Sequence, residues 1–115
     1  MIGSKKKGNH GENEFSSWLQ ENGIKAYRNS SSGAGLYKGD VNNSLDYTFE
    51  VKTVKRINLQ DAWRQVQKDS SIAHNTPLLA IHFNGMGKKQ WLIVQHSEDW
   101  LESIKSKIPH KGKID

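Results

Sequence analysis

The chain predicts an α/β fold, a mixed central β-sheet flanked by helices in the order helix, three strands, helix, two strands, helix. Three observations carry this. Apolar residues recur at helical spacing in two separate stretches, Phe15, Trp18 and Leu19, then Leu59, Ala62, Trp63 and Val66. Two other stretches have strand character. One alternates, with Leu45, Tyr47, Phe49, Val51 and Thr53 against Asp46, Thr48, Glu50 and Lys52; the other, Leu78 to Phe83, is continuously apolar. The second helix lies between those stretches and supplies the crossover that lets their strands run parallel.

Taken in order, residues 1–8 carry Lys5, Lys6 and Lys7 between glycines and read as a mobile basic arm, either solvated or touching phosphate. The first helix runs from about Asn9 to Asn22. Asn9 can cap it, Glu12 stands three residues later as in a capping box, and Gly23 closes it. Glu12 thus has two readings, a cap residue or part of a functional site, and nothing local chooses between them. Ile24 to Arg28 is a short strand. The polar, glycine-rich segment from Asn29 to Gly35 is a flexible loop that lacks the Gly-Lys-Ser/Thr of a phosphate-cradling loop. With Arg28 at its root it suits a backbone phosphate, although a serine-rich surface loop needs no function.

Beyond the alternating strand, Asn58 caps the second helix and Asn75-Thr76-Pro77 ends that region. Leu78 to Phe83 is too apolar for an exposed edge, Asn84-Gly85-Met86-Gly87 turns the chain, and Gln90 to Val94 returns as a strand. Ser97 caps a last helix, with Glu98 and Asp99 in its first turn and Trp100, Leu101 and Ile104 facing inward. Residues 109–115 form a short basic tail.

At 115 residues this is a single domain, and four Trp, three Tyr and three Phe support a core despite a hydrophobic fraction of 34%. The absence of cysteine excludes disulfides, thiolate metal sites and thiol nucleophiles. No apolar run suits a membrane helix or a signal peptide, so a soluble, intracellular (cytoplasmic) protein is expected. A net charge of +5 favours an anionic partner.

The chemistry concentrates between Gly39 and Lys52. The polar face of the alternating strand carries Glu50 and Lys52, and half-burying Glu-x-Lys is costly unless the charges pair, hold a cation or meet a charged substrate. An aspartate upstream makes a divalent-metal site with an adjacent lysine the economical account. Asp46 shares the face of Glu50 but lies about 13 Å along the strand, too far for one ion. Asp40 is preferred, arriving from the preceding strand of a hairpin. It meets Glu50 only if the reversal centres near Leu45; a tight turn at Asn42-Asn43 would set it opposite Leu45 instead.

This order and these residues resemble the PD-(D/E)xK nuclease superfamily with its restriction-endonuclease-like core, and within it the archaeal-type Holliday junction resolvases and related small phage nucleases. The resemblance spans residues 7–94. It rests on Glu12 eleven residues before Gly23, Arg28 five after it, the Ser-Gly loop, Asp40 and the Glu50-Val51-Lys52 triplet. Ala62-Trp63-Arg64-Gln65 and Pro77-Leu78-Leu79-Ala80 are also similar to the phage relatives. Gly39 departs from the pattern, standing where the family usually has proline, and is expected to alter loop rigidity more than chemistry.

The resemblance implies a metal-dependent, structure-selective DNA endonuclease that resolves Holliday or other branched junctions in recombination and repair. Asp40 and Glu50 would bind Mg²⁺ or Mn²⁺ with Glu12 and the Val51 carbonyl completing the shell, and Lys52 would serve the attacking water and the phosphate. Arg28, Ser31 and Ser32 would hold the scissile strand; Lys5, Lys6, Lys7, Lys55 and Arg56 would add DNA contacts; and Gln65 would position the nucleophile. Such enzymes act as homodimers on branched or duplex DNA, without a nucleotide cofactor, and this one is expected to be phage- or mobile-element-encoded. The competing readings are a nuclease of ordinary duplex, a basic module that binds DNA without cutting it, and an adaptor domain with incidental charge. The five histidines show no paired metal spacing; His10 alone lies near the proposed site.

Overall fold

The computed structural model describes residues 4–29 and 39–109, with side chains from His10 onward. Helix α1 spans Ser4–Glu21, followed by strands β1 (Ala26–Arg28), β2 (Val41–Asn43) and β3 (Tyr47–Val54). Helix α2 (Leu59–Ala73) leads to β4 (Thr76–Phe83) and β5 (Leu92–Val94), and the chain ends in α3 (Ser97–Ser103) and a 3-10 turn, Lys105–Lys107. The expected element order is the observed one. The strands form one mixed sheet in the order β1-β2-β3-β4-β5, antiparallel throughout except for β3 and β4. Those two run parallel over eight matched pairs, from Tyr47 with Thr76 to Val54 with Phe83. The connection between them is α2, as a crossover of this length allows.

The α1 face of the sheet buries Phe15 and Leu19 against Val41, Phe49, Val51, Leu78 and Ala80. Phe15 is the hub, its ring 5.2 Å from Phe49 and 5.0 Å from Trp91 in edge-to-face contact. Gly11 lets the helix come this close: a Cβ there would lie 2.5 Å from Thr53 Cγ2. On the opposite face Ala62 of α2 packs with Leu79 and Ile81, and Trp63 lies against them as core, as its spacing implies. Asn58 caps α2 by accepting from Asp61 N at 3.1 Å.

Four expectations are corrected. Helix α1 begins at Ser4, so Gly8 and the three lysines of the supposed arm have helical backbone, Asn9 is interior, and Glu12 is no cap residue. Lysine is a good helix former and no proline interrupts the run. The cap of α3 is His96, whose Nδ1 accepts from Glu98 N, not Ser97. Trp100 and Leu101 do not face inward; they are 50% and 42% exposed, because α3 lies beyond the last strand with no facing layer. Asn29, assigned to the flexible loop, is buried and hydrogen-bonded. Residues 110–115 of the expected tail lie outside the described residues.

Candidate functional site

Asn43 decides the hairpin geometry. Its Oδ1 accepts from Leu45 N and Tyr47 N at 3.0 and 3.2 Å, while its Nδ2 donates to Tyr47 O and Val41 O at 2.7 and 3.2 Å. One side chain thus satisfies the backbone of a wide turn, with Asp46 in the left-handed region at φ 60°. The register pairs Val41 with Phe49. Continued by one residue it sets Asp40 opposite Glu50 on the α2 face, so the reversal centres on Leu45 and the tight-turn alternative is excluded.

Asp40 is held on every side. Its N–H donates to Phe49 O at 2.8 Å, its carbonyl accepts from Asn29 N at 2.8 Å, and its Oδ2 accepts from Val51 N at 2.7 Å. Asn29 Nδ2 also donates to Gly39 O at 3.0 Å, tying β1 to the residue before the aspartate. Gly39 itself adopts φ +107°. Proline, fixed near −65°, cannot take that conformation, so this chain enters Asp40 by a backbone route closed to the family's usual residue.

The site opens where β2 begins, beyond which β3 continues toward Val54 with β4 on its other side. Glu50 and Lys52 point from β3 to the α2 face, with Lys52 Nζ 3.4 Å from Glu50 Oε1. From the α1 side, Glu12 lies 3.9 Å from Arg28 Nη1. Electrostatics joins the two faces. Burial raises the Glu12 carboxyl to about 7, helped by Asp40 and opposed by Arg28 and Lys52. Burial also raises Glu50 to about 7, with Asp40 adding to it and Lys52 opposing. Asp40 is raised by burial as well, against the pull of the Val51 N–H and Lys52. These groups repel one another when ionised, which is what a cation would relieve.

Among the described residues no three His, Asp or Glu side chains form a ready-made ion cage. An ion held by Asp40 and Glu50 therefore draws further oxygens from backbone and water, as hard cations accept. Three sequence-predicted residues sit at the margin. Gln65 is exposed on α2 and donates to Asp69 Oδ2 at 3.1 Å, and Lys55 and Arg56 are exposed just past β3. Ser31 and Ser32 lie outside the described residues, as do the side chains of Lys5, Lys6 and Lys7. His10 pairs with Glu14 at 2.6 Å beside a groove lined by Trp18, Glu21 and Lys89. Sequence reading missed Asn29 and Asp69. Asn29 had no signal beyond a polar residue abutting a strand; Asp69 had its spacing, one helical turn after Gln65.

A family model, archaeal Holliday junction resolvase (Hjc), matches residues 3–111. The chain belongs to the archaeal Holliday junction resolvase family. This resolvase is thus a structure-selective endonuclease of the PD-(D/E)xK superfamily, a hydrolase of DNA junctions in recombination and repair, and its family uses divalent metal ions. Among solved structures it is similar to Hjc of Archaeoglobus fulgidus, a Holliday junction resolvase from an archaeal hyperthermophile, with 20% identity and a TM-score of 0.54. That likeness covers 73% of this chain and 72% of the other, and it shows the fold, a restriction-endonuclease-like core. No curated protein sequence matches. No helix among the described residues is long and apolar enough to cross a membrane.

Proposed function

We propose that the resolvase hydrolyses phosphodiester bonds of four-way and related branched DNA with Mg²⁺ or Mn²⁺ held by Asp40 and Glu50. The observation that carries this reading is the cross-strand register of those two half-buried carboxylates, with the Lys52 ammonium 3.4 Å from one of them. The donor set is all oxygen, which suits these ions and disfavours softer ones. Asp40 and Glu50 would hold the ion, which would supply Lewis-acid activation of water and neutralise charge on the scissile phosphate.

The chain's own residues supply the rest. Asp40 is immobilised by its three hydrogen bonds, so it presents a carboxylate oxygen without reorganisation. Glu12 adds negative charge from α1 and serves the ion directly or through water, and the Val51 carbonyl is a further donor. Lys52, beside Glu50, orients the attacking water against the phosphate. Arg28, Ser31 and Ser32 hold the scissile strand, Lys5, Lys6, Lys7, Lys55 and Arg56 contact flanking phosphates, and Gln65 positions the nucleophile.

We read the working form as a homodimer inside the cell, presenting two sites to a symmetric junction. Support comes from large apolar side chains left exposed on the single chain, among them Ile72, Leu92, Ile93, Trp100 and Leu101. Light scattering then gives twice the mass of one chain; a monomer at micromolar concentration would remove this part.

The central test is cleavage of a labelled four-way junction with Mg²⁺ and with chelator. Asp40→Asn and Glu50→Ala should each lower the rate at least about 10²- to 10³-fold, the scale of losing one preorganised electrostatic group, while junction binding persists. Unchanged cleavage by both variants would refute the assignment. Comparing the junction with linear duplex separates resolution from general nicking.

A further inference from the structure

Asp69 is the feature of the molecule that neither the family motif nor the core explains. It sits on α2 between Val66 and Ser70, two residues of the buried face, and is itself half-buried toward β3. Its charge reaches both Asp40 and Glu50. Among the described residues no cation pairs with it; Arg64, on the same helix, is turned to Asp61 at 3.2 Å. Its hydrogen-bond partner is the neutral Gln65 amide. A third carboxylate that adds its charge to two others and has no ion pair of its own opposes folding of the metal-free chain, so its place needs another reason.

Two polar groups on the sheet face that carries Glu50 lack a protein partner. Thr48 precedes Glu50 by two residues on the same face of β3, is fully buried, and its hydroxyl has no partner. Asn42 Oδ1, at the register position across from Thr48, is also buried without a partner. Buried polar atoms of this kind are normally satisfied by water. The Gln65 amide is oriented as well. An ionised carboxylate only accepts, so Asp69 fixes which end of that amide faces it and leaves Gln65 Oε1 as the acceptor open to water.

We propose that Asp69 is a positioning residue of the metal site: it accepts hydrogen bonds from water around the cation held by Asp40 and Glu50, and it sets the Gln65 amide to accept from the same shell. This rests on the reading of Asp40 and Glu50 as cation ligands. The residue acts through water and through Gln65, so it adjusts ion affinity and not the identity of the reaction.

The test uses the full chain without DNA. Mn²⁺ binding is measured by calorimetry, and thermal unfolding is followed in chelator and in Mg²⁺, for the native protein and for Asp69→Asn, Asp69→Glu and Asp40→Asn. Loss of one water-mediated contact should weaken Mn²⁺ about 3- to 10-fold in Asp69→Asn, with Asp69→Glu recovering most of it. The same Asp69→Asn change should raise the melting temperature in chelator and shrink the rise that Mg²⁺ produces. Native Mn²⁺ affinity in Asp69→Asn, or a lower melting temperature in chelator, overturns the proposal while leaving the Asp40–Glu50 site in place. Mn²⁺ binding that Asp40→Asn does not weaken overturns the site itself and this inference with it.

Discussion

The two ends of the sheet are organised in opposite ways. At the β2–β3 end a short hairpin is specified by Asn43, Gly39 and Asn29, and each contributes a bond or a dihedral that only its residue type provides. At the β5–α3 end the chain has an equally clear amphipathic pattern, but Trp100 and Leu101 are exposed and no residue of α3 is buried. Apolar patterning by itself states that a face wants covering, whereas the polar residues of the hairpin state where each backbone group goes. The carboxylates of Asp40 and Glu50 lie at the end specified by hydrogen bonds, where the register sets them across from each other. The free apolar face lies at the end specified by pattern alone.

Substitutions at the two ends should therefore differ in size and kind. The largest effect is on chemistry, the loss of at least about 10²-fold in junction cleavage for Asp40→Asn already described. Next comes the shared core: Phe15→Ala should cost about 3–5 kcal/mol of stability in urea unfolding, since that ring joins α1 to β3 and to Trp91. A cost under 1 kcal/mol would mean α1 is not docked as described. Asn43→Ala should cost about 1–3 kcal/mol, because it strips several half-buried backbone groups of their partner, and it should reduce cleavage disproportionately by loosening the register that brings Asp40 to Glu50. Equal losses of stability and activity in a series of hairpin variants would argue against that link.

Gly11→Ala sets two effects against each other. Helix propensity favours alanine by about 1 kcal/mol, but the added methyl meets Thr53 Cγ2 and pushes α1, with Glu12, away from the sheet. The net outcome should be a small destabilisation with a clear loss of cleavage; a more stable, fully active variant would show that the helix shifts freely. At the other end Trp100→Ser should leave single-chain stability within about 0.5 kcal/mol. A larger loss, measured at a concentration where the chain is monomeric, would mean that α3 is packed after all.

The acidic centre also has a pH signature. Glu12 and Glu50 titrate near 7 in the folded chain and near 4.5 when unfolded. Between those values the unfolded chain has released protons that the folded chain still holds, so stability in chelator falls as pH rises from about 5 to 8. Saturating Mg²⁺ should flatten that fall, because the ion takes the place of the protons. Melting temperatures in chelator that stay level or climb over this range would contradict the burial of these groups.

Much of this was legible in the chain itself. Period-two alternation through Phe49 and Val51 and helical spacing through Trp63 and Val66 gave the elements and their order, because each reflects a local choice between core and solvent. Asp40, Glu50 and Lys52 stood out because charges on a half-buried strand demand compensation. Local sequence could not decide what depends on partners distant along the chain. Whether Asp40 faced Glu50 awaited the hydrogen bonds of Asn43. That Glu12 came to lie near Arg28 depended on Gly11 letting α1 close on Thr53, and that the charge of Asp69 reaches Asp40 and Glu50 depended on the parallel pairing of β3 with β4, which lays α2 over them. Those outcomes are matters of which surfaces meet, and only the assembled sheet and its two helices fix them.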